Sequence, residues 1–145
     1  MYNRSMKSSI AAFKYGARKE YGRYYAAELA KKHESWIKKT GAQALIPVPI
    51  HKERHKKRGY NQAKVIADYL EGETGIPVID DYLIRIKNTE ALKELSAAER
   101  KASLEDAFLV SETSKLLYRN LRCVILVDDI YTTGSTVNEC CKMLI

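Results

Sequence analysis

The sequence of 145 residues contains few cysteines, and none of them follows a metal-binding pattern. The three cysteines are Cys123, Cys140 and Cys141, and no pair has the Cys-x-x-Cys spacing of a zinc site. Cys123 falls in a predicted strand and the other two fall in a predicted helix. We therefore interpret all three as small apolar residues of a protein in a reducing compartment.

Long hydrophobic runs and signal-like segments are also missing from the sequence. No apolar stretch approaches the length that spans a membrane, and Met1–Ser9 is too polar for a secretory signal. We expect a cytoplasmic protein with no membrane partner. The sequence has no internal repeat, low-complexity tract or linker, and it is 46% hydrophobic and 30% charged. These values are typical of one globular domain over residues 1–145.

Acidic residues are fewer than basic ones, and the difference limits the classes of partner. The 25 lysines and arginines outnumber the 18 acids, which gives a net charge of +7. Such a balance favours polyanionic ligands or nucleic acid, and it does not choose between them.

The most informative segment is Val124–Thr136, with the sequence VILVDDIYTTGST. Cys123–Val127 is a continuous apolar run, which predicts a strand covered on both faces in a parallel sheet. Asp128 and Asp129 then fall at its carboxyl end, the edge where open α/β sheets bind ligands. Because ionised carboxylates only accept hydrogen bonds, this pair suits a vicinal diol or a hydrated magnesium ion.

The loop after the two acids has the composition of a phosphate site. It offers four hydroxyl groups, and Gly134 lets the backbone approach a ligand closely. A predicted helix over Val137–Leu144 would place the loop amides at a helix N-terminus, which favours a phosphate. The predicted phosphate ligands are Thr132, Thr133, Gly134, Ser135 and Thr136. No lysine follows the glycine, so a P-loop is disfavoured. The alternative is a buried strand followed by a capped helix, which leaves the two acids unexplained.

This segment resembles the phosphoribosyl pyrophosphate (PRPP) signature of type I phosphoribosyltransferases. The resemblance implies that Asp128 and Asp129 hold the ribose hydroxyls and that the loop holds the 5-phosphate. Tyr131 replaces an aliphatic residue that is usual in the signature. The neighbours of Tyr131 carry the implied contacts, so the replacement affects them little.

A second segment, Ile46–Ala67, has the sequence IPVPIHKERHKKRGYNQAKVIA. A short strand over Ala44–Val48 is followed by a predicted basic loop, His51–Arg58, and then by a helix that begins near Asn61. The loop holds five lysines and arginines and two histidines against one glutamate. Basic side chains at a strand end suit a pyrophosphate, and the alternative is a solvated basic loop. We predict that the pyrophosphate ligands are His51, Arg54 and Arg58.

The same segment resembles the ComF branch of phosphoribosyltransferase-like proteins, with its Pro-x-Pro strand end, basic loop and Arg-Gly-aromatic-Asn-Gln. The resemblance implies an α/β fold of the type I phosphoribosyltransferase kind, with a central, mostly parallel sheet flanked by helices and a flexible flap. We expect further helices over Ile10–Tyr15 and Glu20–Lys39 and short strands over Pro77–Asp80 and Tyr82–Ile86. ComF proteins often carry an N-terminal four-cysteine zinc module, which this sequence lacks. Related domains continue into another strand, so we expect the C-terminus to be truncated.

The expected flap is the segment Lys87–Leu104. Ser96 and Glu99 form a capping box that predicts a helix over Ser96–Ser103. Three basic residues match the ComF pattern: Arg85, Lys87 and Arg100. Leu92 stands where glutamine is usual and Ser103 where asparagine is usual, which weakens inferences about the acceptor substrate. The alternative is a surface loop with a solvated helix.

The resemblance implies displacement of pyrophosphate from PRPP by a nitrogen nucleophile, with Asp128, Asp129 and Arg58 as catalytic residues. The developing charge would resemble an oxocarbenium ion, so no covalent side chain is required. Adjacent carboxylates raise each other's proton affinity unless a cation is near, so we expect magnesium at Asp128 and Asp129, directly or through water.

Two other functions stay open from the sequence alone. One is PRPP binding without turnover, by a regulator or assembly partner. The other is a competence-associated factor for DNA uptake that binds nucleic acid, although His51–Arg58 lacks the aromatic residues of single-strand platforms. A homodimer is also left open.

Overall fold

The computed structural model describes residues 19–88, 102–131 and 133–145. The expected helix over Ile10–Tyr15, residues 96–101 of the expected flap helix, and Leu92, Arg100 and Thr132 lie outside the described residues. The helices are α1 (Glu20–Thr40), α2 (Lys52–Arg58), α3 (Gln62–Thr74), α4 (Glu112–Leu117) and α5 (Ser135–Leu144), and the strands are β1 (Ala44–Pro47), β2 (Leu83–Arg85), β3 (Phe108–Val110) and β4 (Val124–Val127).

Strands β1 and β4 form a small parallel sheet. They pair in register from Ala44 opposite Val124 to Pro47 opposite Val127. On the other edge of β1, Leu45 forms a single parallel bridge with Val78. This bridge lies within the strand that the sequence predicts over Pro77–Asp80. The mixture of helices with a small parallel sheet is compatible with the expected α/β class.

Strands β2 and β3 form a separate antiparallel pair. Arg85 lies opposite Phe108, and Leu83 lies opposite Val110. The strand predicted over Tyr82–Ile86 is therefore present, although it pairs in the antiparallel direction. Side chains alternate along β2, where Leu83 and Arg85 are buried and Ile84 is exposed.

Apolar side chains from the two faces of β1 fill two cores. Leu45 packs with Ala26 of α1, Ile66 and Leu70 of α3, and Val127 of β4. On the opposite face of β1, Ile46 and Val48 pack in a second core with residues that include Leu83, Leu104, Phe108 and Cys140. Because successive strand residues point to opposite faces, one short strand divides the two cores.

Helix α1 agrees closely with its predicted range. It ends at Gly41, whose φ of 62° is the left-handed conformation that favours glycine at a helix C-terminus. The helix is kinked at His33, which has φ −116° and ψ 15°. Neither α1 nor any other described helix combines the length and the apolar character needed to cross a membrane.

Strand β4 differs from its prediction in burial. The sequence predicts a strand covered on both faces, but Val124, Ile125 and Leu126 are only half-buried and Val127 alone is buried. Within the described residues β4 pairs with β1 on one edge only. An open pocket of about 230 Å³ lies beside it and is partly lined by Trp36. An apolar run therefore predicts a strand more reliably than it predicts how many faces are covered.

Candidate functional site

The carboxyl ends of β1 and β4 lie side by side. Beyond the last residue pair, the Val48 amide donates a hydrogen bond to the Val127 carbonyl at 2.8 Å. The segment that follows β1 leads into α2, and the segment that follows β4 begins with Asp128. The two segments predicted to bind ligand therefore leave the same edge of the sheet, as the parallel pairing requires.

Asp128 and Asp129 form the acidic side of this edge. Both residues are half-buried. One carboxylate oxygen of Asp128, Oδ1, accepts a hydrogen bond from the Asp129 amide at 2.8 Å. This bond turns the chain directly after the strand and holds the two acids at its carboxyl end.

The loop that follows is built around Gly134. This residue has φ 76° and forms the N-cap of α5, which begins at Ser135, two residues before the predicted start. A Cβ atom on Gly134 would lie 2.7 Å from the hydroxyl oxygen of Tyr131, so no larger residue fits without displacing that ring. The hydroxyls of Thr133 and Ser135 lie 2.8 Å apart, and Thr136 is half-buried in the first turn.

The predicted basic loop His51–Arg58 is wrong in its secondary structure, because residues 52–58 form α2. The His51 side chain caps the helix by accepting a hydrogen bond from the Glu53 amide, and Gly59 ends it with φ 79°. Lysine, arginine and glutamate are good helix formers, so a charged segment between two capping residues folds as a short helix.

Helix α2 presents Arg54 and Arg58 on one face. These two residues are four apart and therefore neighbours on the helix surface, and both are half-buried. The Arg58 guanidinium donates through Nη1 to Oε1 of Gln62 at 3.3 Å. Gln62 is itself 1% exposed, so it gives Arg58 a fixed partner at the start of α3.

Asn61 joins α3 to the end of β1. Its Oδ1 accepts from the Ala63 amide at 3.0 Å, which caps α3. Its Nδ2 donates to the Val48 carbonyl at 3.0 Å. The sequence places Asn61 near a helix start, but it gives no sign of the second bond, because the partner lies thirteen residues earlier. Asn61 and Gln62 thus position the site.

Arg85, which we expected with the flap, lies in β2 and is 8% exposed. Its guanidinium carbon is 5.4 Å from the centroid of the Phe108 ring. Its Nε donates to the Lys87 carbonyl at 3.3 Å. The structure therefore holds this arginine on a strand over an aromatic ring.

The charge of Arg85 is influenced by both sides of the sheet edge. Burial lowers the pKa of Arg85 to about 10, and the positive charges of Arg54 and Arg58 lower it as well. The negative charge of Asp128 acts in the opposite direction and raises it. Three arginines and one carboxylate thus interact electrostatically, although they come from α2, β2 and the end of β4.

Cys140 of α5 responds to the same charges. The residue is fully buried, and burial is the main cause that raises the pKa of its thiol to about 12. Asp128 raises this pKa further and Arg85 lowers it. Cys140 is therefore a protonated thiol at neutral pH and has no nucleophilic character there.

The described ends of the expected flap are attached to the rest of the protein. Lys87 donates through Nζ to the Glu105 carbonyl at 2.5 Å. Asn88 donates through Nδ2 to Oε2 of Glu53 on α2. The flap segment therefore begins against the basic helix.

The carboxylates at the end of β4 fit a hard cation such as magnesium. Carboxylate oxygens are the ligands that magnesium prefers, and it usually keeps several waters or takes substrate oxygens as well. Where the structure describes the chain, no three His, Cys, Asp or Glu residues form a metal-binding group. Magnesium at Asp128 and Asp129 stays a prediction.

Known proteins similar to this chain carry competence-related names. Competence protein F of Haemophilus influenzae is 41% identical over 103 residues, which cover 70% of this chain and 44% of that protein. Competence protein ComFC of Bacillus subtilis is 27% identical over 144 residues, 99% of this chain and 55% of that protein. These matches support a ComF family protein. The DNA utilization protein YhgH of Escherichia coli K12 is 32% identical over 101 residues, 70% of this chain and 42% of that protein.

The chain spans about half the length of the curated relatives that it matches. No family model matches it, and no solved structure does. The ComF resemblance therefore rests on these relatives and on the two sequence segments.

Proposed function

We propose that this chain acts in the uptake or use of DNA as a ComF-type protein. The support comes from the names of its relatives, which are competence proteins and a DNA utilization protein. These names favour a competence role more than they favour a transfer reaction. Because the chain matches about half of each relative, the proposal concerns the part that carries the candidate site.

At the molecular level, the proposed ligand of that site is PRPP. The observation that carries this proposal is the electrostatic coupling of Arg54, Arg58 and Arg85 with Asp128 beside the ends of β1 and β4. PRPP has a diphosphate for the arginines and a ribose diol for the carboxylates. Guanidinium groups bind phosphate oxygens with charge-assisted, often bidentate hydrogen bonds.

The proposed roles follow the position of each group along the sheet edge. Arg54, Arg58 and His51 bind the pyrophosphate, while Asp128 and Asp129 accept hydrogen bonds from the ribose hydroxyls. The loop Thr132–Thr136 binds the 5-phosphate, since its amides open α5. When bound at the two carboxylates, magnesium would neutralise negative charge beside the diphosphate.

The proposed reaction, where turnover occurs, transfers phosphoribose to a nitrogen nucleophile. The bond from the anomeric carbon to the pyrophosphate oxygen breaks, a bond to nitrogen forms, and the nitrogen loses a proton. Positive charge develops on the ribose and negative charge on the pyrophosphate. Fixed carboxylates beside the ribose and fixed guanidinium groups beside the pyrophosphate stabilise both changes.

The second candidate is PRPP binding without turnover, in a regulator or assembly partner. Leu92 and Ser103 favour it, because they depart from the ComF pattern where an acceptor would be recognised. A direct role in binding DNA is compatible with either candidate, given the net charge of +7.

A thermal-shift measurement with PRPP and magnesium tests the ligand. At about a hundred times its dissociation constant, PRPP should stabilise the wild-type chain by roughly 2.7 kcal/mol. We expect no stabilisation of the double variant D128N/D129N. The matched control is D80N/D81N, which removes two adjacent, exposed carboxylates elsewhere and should keep the full shift.

No shift of the wild-type protein would contradict both the transferase and the regulator. A positive shift should be followed by pyrophosphate-release assays with nucleobases and amines. Release with one of these nucleophiles supports the transferase, and binding without release supports the regulator.

A further inference from the structure

Helix α2 has two basic faces on opposite sides. At 3.6 residues per turn, Arg54 and Arg58 share one face, while Lys52 and Lys56 share the other, with His55 beside them. The two arginines are half-buried, and the other three residues are exposed. We call Lys52, His55 and Lys56 the outward face.

The outward face carries no negative charge. Glu53 is the one acid of α2, and its carboxylate accepts a hydrogen bond from Asn88 at the side of the helix. Arg54 and Arg58 are directed toward Arg85, whose pKa they lower. The helix therefore shows two lysines and a histidine to solvent, and the candidate site does not use them.

The outward face is also held in a fixed orientation. The side chain of His51 caps one end of α2, and Gly59 closes the other end by donating its amide to the His55 carbonyl at 2.8 Å. Two residues later, Asn61 attaches the chain to the Val48 carbonyl at 3.0 Å. Cations on a fixed helix lose less conformational entropy on binding than cations on a loop.

The dimensions of the outward face suit one row of phosphates. Seven residues at 1.5 Å each make α2 about 10 Å long, and side chains four residues apart lie about 6 Å from each other. Such a row can contact two or three phosphates of a single strand. A DNA duplex presents two rows of phosphates across a groove, and one short row of cations leaves the second without a partner.

We propose that the outward face of α2 binds the phosphate backbone of single-stranded DNA while Arg54 and Arg58 serve the candidate site on the opposite face. This inference rests on the proposed role in DNA uptake or use. Because α2 has no aromatic side chain, the contacts are limited to phosphates. Binding is weak, independent of sequence and strongly dependent on salt.

Since the two faces point in opposite directions, DNA and PRPP bind without competition. The helix then connects two polyanions, one in the site and one on the surface. PRPP at saturating concentration should leave the affinity for DNA unchanged.

The test measures fluorescence anisotropy of a labelled thirty-residue oligothymidylate over a series of NaCl concentrations. The variant K52Q/K56Q should lower the slope of log affinity against log salt by about 1.4, since each lost phosphate contact on a single strand contributes about 0.7. The matched control is K31Q/K32Q, which removes two exposed lysines from α1 and the same net charge. It should change the slope by much less.

Equal changes in slope for the two lysine pairs would overturn the proposal, because DNA would then respond to net charge alone. Tighter binding of a duplex with the same number of phosphates would overturn the assignment to a single strand. Displacement of the oligothymidylate by PRPP would overturn the separation of the two faces.

Failure of this inference can be told from failure of the PRPP site. The variant R54Q/R58Q should lose the PRPP thermal shift, and K52Q/K56Q should retain it. If PRPP stabilises no form of the protein while K52Q/K56Q alone lowers the salt slope, the PRPP proposal fails and the DNA surface stands.

Discussion

The candidate site has an acidic rim and a basic rim, and the two are built in different ways. The acidic rim consists of Asp128 and Asp129, which follow directly after β4. The basic rim consists of Arg54 and Arg58 on α2 together with Arg85 on β2. One strand end is enough to position the first rim, whereas the second requires two elements to pack correctly. The basic rim should therefore be the more sensitive to changes in the core.

Loss of the Phe108 ring should disrupt the basic rim with the largest effect on stability. Phe108 is 2% exposed and its ring lies against the Arg85 guanidinium. Phe108→Ala should lower the free energy of unfolding by about 3–5 kcal/mol, since it creates a core cavity and removes this contact. Urea denaturation measures the loss. Leu109→Ala, at an exposed neighbour that is 48% accessible, should change stability by less than about 0.5 kcal/mol. Similar losses for the two variants would mean that Phe108 gives no special support.

Inorganic pyrophosphate should separate the two rims. It has no ribose, so without magnesium it should need the basic rim and not the acidic one. At about a hundred times its dissociation constant it should stabilise the wild type and D128N/D129N alike by roughly 2.7 kcal/mol. It should not stabilise R54Q/R58Q. Thermal shifts measure all three proteins. If D128N/D129N also loses pyrophosphate binding, the rims act as one unit and the comparison fails.

The sequence predicts the acidic rim well because its determinants are local. An apolar run, two acids and Gly134 are consecutive, and β4 and α5 lie where this pattern places them. The pairing of β1 with β4 also follows, since two apolar strands that are far apart in sequence are expected to be parallel neighbours in an α/β fold.

The basic rim is harder to predict because its determinants are tertiary. The charges of α2 favour a solvated loop when taken alone, and the His51 and Gly59 caps decide for a helix. Arg85 matches a flap position in the family pattern, but its burial depends on Phe108 across the β2–β3 pair. Local sequence contains neither contact.

Replacing Arg85 with methionine should separate stability from binding at the basic rim. Burial and two like charges lower the pKa of this guanidinium to about 10, so its charge is unfavourable in the folded protein. Exchanging a buried charge for an apolar side chain of similar length is often neutral or stabilising. Arg85→Met should leave the unliganded protein as stable or raise its stability by about 1 kcal/mol. It should also abolish stabilisation by pyrophosphate.

Thermal unfolding with and without pyrophosphate measures both effects. Arg119→Met, at an exposed arginine outside the rims, is the control and should keep the response to pyrophosphate. A large loss of stability in Arg85→Met would show that Arg85 holds the fold together and would remove the argument for a ligand at its charge.

Cys140 offers the smallest effect and senses both rims, because Asp128 raises the pKa of its thiol and Arg85 lowers it. In the unfolded chain the thiol loses its proton near its ordinary value of 9, whereas in the folded protein it does so near 12. Above pH 9 the folded state therefore binds more protons than the unfolded state, and stability falls as pH rises. Between pH 8 and 10 this group should cost about 1 kcal/mol. The opposite contribution of Arg85 begins only near pH 10, where its own folded pKa lies. Urea denaturation of the wild type and Cys140→Ala should show the difference between them shrinking by that amount, whereas the difference between the wild type and Val127→Ala, a substitution without a titrating group, should stay constant. A constant difference for Cys140→Ala as well would mean that the thiol does not feel the field of either rim.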